Sequence, residues 1–391
     1  MYKTSKSQHT EGQKSSRDRV LDLLEAGKGN YLSGEYIASQ LGISRTAVWK
    51  AVAGLRKDGY TIDAVTNRGY ALSPKSDILS AEGIRRYLAE IASTGSVNLG
   101  LPDSSLHMFS SDVFRLDTLR LEVSDVVDST NDVCLRMAQQ GEHGGFAAIA
   151  GSQTRGRGRR GRTFFSPDGT GLYMSILLRP FGISGTQAQR FTTISAVAVA
   201  EAIEAVAGIP AEIKWVNDVY VSGRKVCGIL TEASVKLEDS TLDYAVVGIG
   251  INVYEPEGGF PESIRDRAGS LATSLYQHDS GRSGLPSGTS LLENGGRNRL
   301  AAEILSRFYS YCIAEFKSLS VPYETAYTER RYLNEYRRRC FVIGHEINVL
   351  KAGSAPVPAV AMGIDDECRL QVRYRDGSEE TLSSGEISIG V

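Results

Sequence analysis

GRGRRG, residues 156–161, has the G-x-G-x-x-G spacing of a dinucleotide-binding turn. In such a turn a strand precedes the glycines and a helix begins at them, so that the pyrophosphate lies at the helix N-terminus. An apolar segment, FAAIAG (146–151), does precede the motif, but RTFFSPDGTG (162–171) follows it and contains Pro167. An acidic partner for a ribose is also missing about 20 positions further on. The motif therefore does not open a Rossmann unit, and another explanation of its arginines is needed.

Five arginines crowd this segment and would repel one another in a folded loop: Arg155, Arg157, Arg159, Arg160 and Arg162. The glycines between them allow the backbone to pass close to a ligand. Guanidinium groups bind phosphate and carboxylate in a bidentate manner. The pattern favours a loop that becomes ordered on a polyanionic ligand. Two alternatives stay open, an exposed loop that binds nucleic acid and a solvated surface loop without a ligand.

The whole chain has 391 residues, 41% of them hydrophobic, and a net charge of −2. This composition is typical of a globular protein with two or three domains and predicts no overall attraction to nucleic acid. The polar N-terminus lacks the apolar core of a signal peptide, and the apolar runs are shorter than a membrane span. We therefore expect a cytoplasmic protein without a membrane partner.

Reactive side chains do not form a familiar catalytic pattern. The five cysteines are scattered without a CxxC pair, which argues for reduced, structural thiols rather than disulfides or a zinc site. The histidines are equally dispersed, and neither an HExxH motif nor a Ser-His-Asp signature is visible. The chemistry is therefore expected from other residue types.

The N-terminal part has the outline of a winged helix-turn-helix domain over residues 18–75, preceded by a disordered tail, residues 1–17. Three helical segments end at glycines or are preceded by capping serines, and a short hairpin, YTIDAV-TNRG-YAL, closes the unit. Residues 1–73 hold eleven Lys/Arg and seven Asp/Glu, which fits contact with phosphates. The alternative is a winged helix that serves as a scaffold or as a docking unit for another protein.

In a winged helix the third helix enters the major groove with its N-terminal residues. The candidate DNA-binding residues at that end and at the wing tip are Ser44, Arg45, Thr46, Trp49, Lys50, Asn67 and Arg68.

Beyond residue 76 the patterns alternate between strand and helix. Strands are predicted at LRLEVSDVV, FAAIAG, GLYMSILL, AEIKWV, RKVCGILTEAS and DYAVVGIGINV, and helices at 80–92, 130–140, 186–207 and 298–319. The Gly/Ser-rich residues 277–297 predict a long loop, and short strands fill residues 339–391. The fold class is α+β, with a central mixed α/β domain, of a size usual for an enzyme, over residues 76–335 and a small C-terminal β-barrel over residues 336–391.

Four motifs together resemble the signature of biotin protein ligases. They are VVDSTN (126–131), SQTRGRGRRGRTFFSPDGTGLYMSILLRP (152–180), KWVNDVYVSGRKVCGIL (214–230) and VVGIGINV (246–253). With the winged helix in front, the chain resembles the bifunctional members that also repress the biotin operon. The resemblance implies a biotin-ligase domain in the centre and an SH3-like barrel at the C-terminus.

The resemblance also implies the reaction and its partners. Biotin and ATP are joined as biotinyl-5′-AMP with release of pyrophosphate, and Mg²⁺ is expected on the phosphates. The biotin is then passed to a lysine of a biotin carboxyl carrier protein, such as that of acetyl-CoA carboxylase. Operator DNA is the second partner, and a homodimer is expected when ligand is bound.

Site residues follow from the same resemblance. The residues implied for catalysis are Lys214, Arg157 and Arg159, with Lys214 between the biotin carboxylate and the α-phosphate. The residues implied for biotin binding are Ser129, Thr130, Asn131, Gln153, Gly156, Arg157, Gly158, Arg159, Lys214, Gly248 and Gly250. The residues implied for ATP binding are Arg160, Arg162, Phe164, Asn217 and Asn252, with Phe164 as a stacking ring for adenine.

Structural explanations of these residues stay open beside the functional ones. In the alternative interpretation, Lys214 is a surface lysine at a strand end. Ser129–Asn131 is then only a helix cap, and Phe164 is part of the core. Two other functions remain for the whole chain, a non-enzymatic regulator that senses biotin or its adenylate, and a ligase of the lipoate type.

Overall fold

The computed structural model describes residues 15–94, 116, 118–279, 295–317, 330–351, 355–383 and 386–389. Most of the predicted tail (1–17) and of the predicted loop (277–297) lies outside the described residues.

The N-terminal domain is a three-helix unit closed by a hairpin. Its elements are α1 (Ser16–Ala26), α2 (Gly34–Leu41), α3 (Arg45–Lys57), β1 (Ile62–Val65) and β2 (Gly69–Leu72). Hydroxyls cap each helix, since Ser15, Ser33 and Ser44 accept hydrogen bonds from backbone N–H groups three residues on, at 3.0–3.1 Å. The predicted winged helix is confirmed. Ser16 and Arg17, which the prediction assigned to the tail, belong to α1.

A partly buried ion pair and a tyrosine hydrogen bond join this domain to the rest of the chain. Helix α4 (Ala81–Thr94) follows the winged helix in the chain, and a long helix, Gly296–Lys317, comes after the central strands. Arg297 Nε donates to Asp77 Oδ2 at 2.8 Å, and Tyr254 Oη donates to the same oxygen at 2.7 Å. The segment that leads out of the winged helix is thus bonded directly to residues that flank the central sheet.

The central domain is built on a mixed sheet. In chain order its strands are β3 (Arg120–Val127), β4 (Phe146–Gln153), β5 (Gly171–Leu178), β6 (Glu212–Lys214), β7 (Asp218–Val221), β8 (Arg224–Val235) and β9 (Leu242–Asn252). Across the described residues the spatial order is β3-β4-β5-β9-β8-β7-β6. Only the β3–β4 pair is parallel among these neighbours. The order matters for function because it places β5, β9 and β8 side by side.

Helices cover the sheet. They are α5 (Thr130–Gln139), α6 (Ala188–Ala207), α7 (Glu262–Arg265), α8 (Leu271–Asp279), α9 (Gly296–Lys317) and α10 (Arg331–Arg339). The middle of α6 is buried on nearly every face, and it packs between α9 and the strands. The predicted loop was wrong at both ends, because α8 continues to Asp279 and α9 begins at Gly296.

The C-terminal strands form one antiparallel sheet. They are β10 (Glu346–Leu350), β11 (Val357–Ile364), β12 (Leu370–Tyr374), β13 (Glu379–Leu382) and β14 (Glu386–Ile389), in the order β13-β12-β11-β10-β14 among the described residues. This meander agrees with the predicted small barrel. Helix α10 was not predicted, and it spans the predicted boundary at residues 335 and 336.

Within the described ranges, no helix combines the length and the apolar character that a membrane span requires.

Candidate active site

A cavity of about 340 Å³ opens on the central sheet and brings most of the predicted site residues together. The predicted residues that line it are Ser129, Thr130, Asn131, Gln153, Arg157, Gly158, Arg159, Arg162, Phe164, Lys214, Asn217, Gly248, Gly250 and Asn252. Gly156 and Arg160 are not among the lining residues. Gly156 is buried at a close approach, since a Cβ there would lie 2.4 Å from the Phe164 carbonyl oxygen, and Arg160 is exposed.

The charge of the lining is strongly one-sided. Among the described residues that line the cavity, six are basic and one, Asp218, is acidic. Two of the six, Lys225 and Arg267, were not singled out by the sequence analysis. Such a concentration of cations on a chain of net charge −2 favours a ligand that carries several negative charges.

One end of the cavity is neutral and rich in hydrogen-bonding groups. Gln153 Oε1 accepts from the Thr130 backbone N–H at 2.9 Å, and Gln153 Nε2 donates to Ser166 Oγ at 2.9 Å. Ser129 is buried at the start of α5, yet its hydroxyl caps no backbone N–H. Helix capping by the side chain therefore does not account for Ser129, which is one of the residues that line the cavity.

Three glycines make a floor without side chains. Gly248 and Gly250 lie on β9, and Gly228 is paired with Gly250 on β8. A Cβ on Gly248 would lie 2.0 Å from Asn131 Oδ1, and a Cβ on Gly250 would lie 2.7 Å from Phe164 Cε1. The floor is therefore shaped by glycine so that Asn131 and the Phe164 ring lie directly on the sheet.

Asn131 is held in one orientation by groups on two strands. Ser175 Oγ donates to Asn131 Oδ1 at 2.6 Å, and Asn131 Nδ2 donates to Glu232 Oε2 at 2.8 Å. Ser175 is fully buried and Asn131 is 4% exposed. Because both ends of the amide are bonded, its oxygen and nitrogen have fixed places above Gly248.

Arg157 lies in the loop of residues 155–162, called the arginine loop below, and its side chain contacts two carboxylates outside that loop. Its Nη1 donates to Asp132 Oδ1 and its Nη2 donates to Glu232 Oε1, each at 2.6 Å. The loop is tied at a second point, because Arg159 Nη1 donates to Asn217 Oδ1 at 2.9 Å. These contacts explain how several arginines coexist in one short segment.

Lys214 ends β6 at a tight corner before β7, and it lies opposite Asp218 in the antiparallel register of these two strands. The C-terminal part of the chain braces this corner. Trp215 Nε1 donates to the Cys368 carbonyl at 3.0 Å, and Tyr336 Oη donates to the Val216 carbonyl at 3.1 Å. Lys214 lines the cavity and is half-buried, so the surface-lysine interpretation does not describe it.

Protonation at the cavity follows from burial and ion pairing. Burial raises the pKa of the Cys227 thiol well above its usual range, and burial raises the pKa of Tyr220 to about 12. Hydrogen bonding from Arg136 lowers the pKa of Asp128, just outside the neutral end. Near pH 7 the thiol therefore stays protonated and is a poor nucleophile.

Sequence reasoning missed several residues that complete the site. Asp218, Tyr220 and Lys225 line the cavity, and Lys225 Nζ lies 2.6 Å from Asp218 Oδ1. All three lie within KWVNDVYVSGRKVCGIL, so the motif itself contained the signal. Ser175 also lies within a quoted motif (152–180), whereas Glu232 lies outside all four, and its partner Asn131 is far away in the sequence.

A second candidate surface lies on the winged helix. All seven predicted DNA-binding residues are exposed, and Trp49, on α3, keeps 60% of its surface accessible. At the wing, Asn67 adopts a positive φ of 66°, and the Arg68 guanidinium lies 4.4 Å from the Tyr31 ring centroid. A basic, aromatic-bearing helix end beside a cationic wing suits a DNA groove.

Comparisons with known proteins match three regions of the chain. Residues 123–252 match the Biotin/lipoate A/B protein ligase family, residues 17–71 match an HTH domain, and residues 342–390 match the Biotin protein ligase C terminal domain. The fold and the cavity thus define a protein ligase of the biotin/lipoate class with a helix-turn-helix domain in front.

Whole-chain relatives narrow the assignment. The Bifunctional ligase/repressor BirA of Bacillus spizizenii is 30% identical over 96% of this chain and 98% of its own length. That of Bacillus subtilis is 35% identical over 67% of this chain and 71% of its own length. The chain belongs to this family of bifunctional biotin ligase/repressors. Among solved structures, a mutant biotin protein ligase from Aquifex aeolicus in complex with biotin is 28% identical, with a TM-score of 0.51, and covers 69% of this chain and 98% of its own.

Proposed function

We propose that this chain is an ATP-dependent biotin–protein ligase that forms biotinyl-5′-AMP and transfers biotin to a lysine of a biotin carboxyl carrier protein, and that it also acts as a biotin-responsive DNA-binding repressor. One observation carries the enzymatic part. A single cavity joins a neutral hydrogen-bonding end to a lining with six cations and one carboxylate. This division matches a ligand with a neutral ring at one end and phosphates at the other.

The neutral end is assigned to the ureido ring of biotin. Ser129, Thr130 and Gln153 offer uncharged donors and acceptors there, which a neutral cyclic urea requires. The glycine floor lets Asn131 and the Phe164 ring lie close against the sheet beside this end. The carboxylate tail then points along the cavity toward the arginine loop and Lys214.

The cationic part is assigned to the triphosphate and to the reacting groups. A carboxylate oxygen of biotin attacks the α-phosphorus of ATP, and the bond to pyrophosphate breaks. Two anions must approach each other, so Lys214, Arg157 and Arg159 stabilise charge that builds up in the transition state. Phe164, beside Gly250, offers its ring to adenine.

Mg²⁺ enters with ATP as part of the substrate. Asp218 is the one carboxylate among the described lining residues, and it is paired with Lys225. Within the described residues no group of three or more His, Cys, Asp or Glu side chains is gathered to hold a metal ion. This fits an ion bound mainly by phosphates and water, with at most one protein carboxylate.

Transfer needs no covalent intermediate on the protein. The carrier lysine amine attacks the acyl carbon of the adenylate, the bond to AMP breaks, and an amide forms. The buried Cys227 thiol is protonated and takes no part.

The proposed activity is tested by pyrophosphate release from Mg²⁺-ATP with biotin, with lipoate, or without a vitamin. Release with biotin alone, followed by labelling of a carrier lysine, supports the ligase. Release with lipoate alone points to the lipoate-type enzyme. Tight binding of biotin without release points to a non-enzymatic sensor.

Replacing Arg159 with glycine should leave adenylate synthesis partly intact but let the adenylate escape. The hydrogen bond from Arg159 to Asn217 ties the arginine loop to the Lys214 corner, and a closed loop shields a reactive anhydride from water and stray amines. The measurement is biotinylation of bystander proteins, with Arg155→Gly as control because Arg155 is exposed and does not line the cavity. Labelling confined to the carrier in both variants would show that the loop is not the barrier.

For the repressor we expect Arg45→Ala and Lys50→Ala each to weaken DNA binding about tenfold. Each should also reduce the slope of log affinity against log salt concentration by about one. Lys57→Ala, at the opposite end of α3, is the control. The DNA is a site selected by the full chain from a random library, and binding is measured at several salt concentrations. Equal losses in all three variants would contradict the assigned orientation of α3.

We further propose that ligand favours a homodimer, and that the dimer binds two half-sites. Ligand then raises DNA affinity only by favouring the dimer, which is thermodynamic linkage. The test is DNA binding together with sedimentation, with and without biotin plus ATP. Equal affinity under both conditions would refute the corepressor model.

A further inference from the structure

Glu232 connects the two ends of the cavity. It lies on β8, where its Oε2 accepts from Asn131 Nδ2 at 2.8 Å and its Oε1 accepts from Arg157 Nη2 at 2.6 Å. Asn131 belongs to the neutral end and Arg157 to the arginine loop. One carboxylate therefore contacts a side chain from each end, although Glu232 itself does not line the cavity.

The contacts continue on both sides of Glu232. Ser175, fully buried on β5, donates to Asn131 Oδ1 at 2.6 Å, so the chain of hydrogen bonds is anchored in the sheet. At the other end, Asp132 accepts from Arg157 Nη1 at 2.6 Å. The guanidinium is thus held from both sides by carboxylates on two different elements, α5 and β8. Two charge-assisted hydrogen bonds, one from each terminal nitrogen, fix the plane of the guanidinium as well as its position.

We propose that Glu232 is a positioning residue for the ligase reaction, which orients Arg157 toward the phosphates and Asn131 toward the vitamin. This inference rests on the proposed function. A loop arginine flanked by glycines has many conformations, and ordering it before ATP binds lowers the entropic cost of the reacting arrangement. Glu232 touches neither substrate, so its effect passes through its two partners.

The two contacts of Glu232 are separable by substitution. Glu232→Gln keeps an oxygen that accepts from Asn131 but removes the negative charge that faces Arg157. Glu232→Ala removes both contacts. Asp132→Asn weakens the second support of Arg157 and leaves Asn131 bonded to Glu232. Asp243→Asn is the matched control, because Asp243 also pairs with an arginine, but that arginine, Arg179, does not line the cavity as Arg157 does.

The experiment measures biotin affinity by calorimetry and the kinetics of pyrophosphate release in the full-length chain. We expect Glu232→Gln and Asp132→Asn to lower kcat/KM for ATP roughly tenfold, as the loss of one charge-assisted hydrogen bond implies, while biotin affinity stays unchanged. Glu232→Ala should also weaken biotin binding, again roughly tenfold. A purely structural role would instead lower the melting temperature and impair both substrates equally in all three variants.

A double-mutant cycle separates positioning from general damage. If Glu232 acts through Arg157, the effects of Glu232→Gln and Arg157→Ala on kcat/KM for ATP are not additive, whereas those of Asp243→Asn and Arg157→Ala are. Additive effects in the first pair, or an unchanged kcat/KM in Glu232→Gln, would refute the inference. A wild-type chain that neither binds biotin nor releases pyrophosphate would refute the proposed function instead, so the two failures are distinguishable.

Discussion

We expect Lys214→Ala to lower the rate of adenylate formation about 10²-fold, which corresponds to about 3 kcal/mol of transition-state stabilisation. The physical reason is the approach of a carboxylate to a phosphate, which needs a cation placed between them. Lys214 meets this need because its corner is braced by Trp215 and Tyr336 and its side chain lines the cavity. The rate is measured as pyrophosphate release at saturating biotin and ATP.

Two further variants make the Lys214 result specific. Lys214→Arg keeps the charge but spreads it over a planar group, so only partial recovery is expected. Lys236→Ala removes an exposed lysine at the hairpin after β8 and should leave the rate unchanged. Near wild-type turnover of Lys214→Ala, in a protein that melts normally, would show that other cations of the cavity perform the neutralisation.

The strands and helices around the site were predictable because they depend on local patterns. Alternating or continuous apolar runs identified β3, β4, β5, β8 and β9, and hydroxyl N-caps identified the helices of the winged helix. Helix α10 escaped because RYLNEYRRR is mostly charged. Its buried residues, Tyr332, Leu333, Tyr336 and Arg339, make only a short stripe, and the role of this stripe becomes visible only once α10 packs against α6.

The supports of the site were not predictable, because they join residues that are distant in the sequence. Trp215 finds the carbonyl of Cys368, which lies in a turn of the C-terminal sheet. Asn131 finds Glu232 only once β8 lies beside β9. Motifs indicated which residue types bind the ligand, whereas the fixing of those residues depends on strand order, which local patterns do not encode.

The glycine floor provides the second large effect, and Gly248→Ala should weaken biotin binding about 10²-fold. The new methyl group would lie 2.0 Å from Asn131 Oδ1, so the amide must move. Its movement breaks the bonds to Ser175 and Glu232, and the fully buried Ser175 hydroxyl keeps only its contact with Thr130 Oγ1. Two such losses, each of about 1.5 kcal/mol, together give that factor.

Graded substitutions along the floor test whether Asn131 is the cause. At Gly250 the new methyl would meet the edge of the Phe164 ring at 2.7 Å, and at Gly228 the same ring at 3.1 Å, so these alanine variants should impair ATP use more than biotin binding. Gly363→Ala, on β11, is the control, since its methyl would lie 3.4 Å from the mobile end of Gln371. Calorimetry with biotin and melting curves are recorded for all four variants. Gly248 and Gly250 lie two residues apart on one face of β9. Equal losses of biotin affinity in both alanine variants would mean that distortion of the strand, rather than movement of Asn131, weakens binding. The assignment of biotin to the neutral end of the cavity would then be wrong.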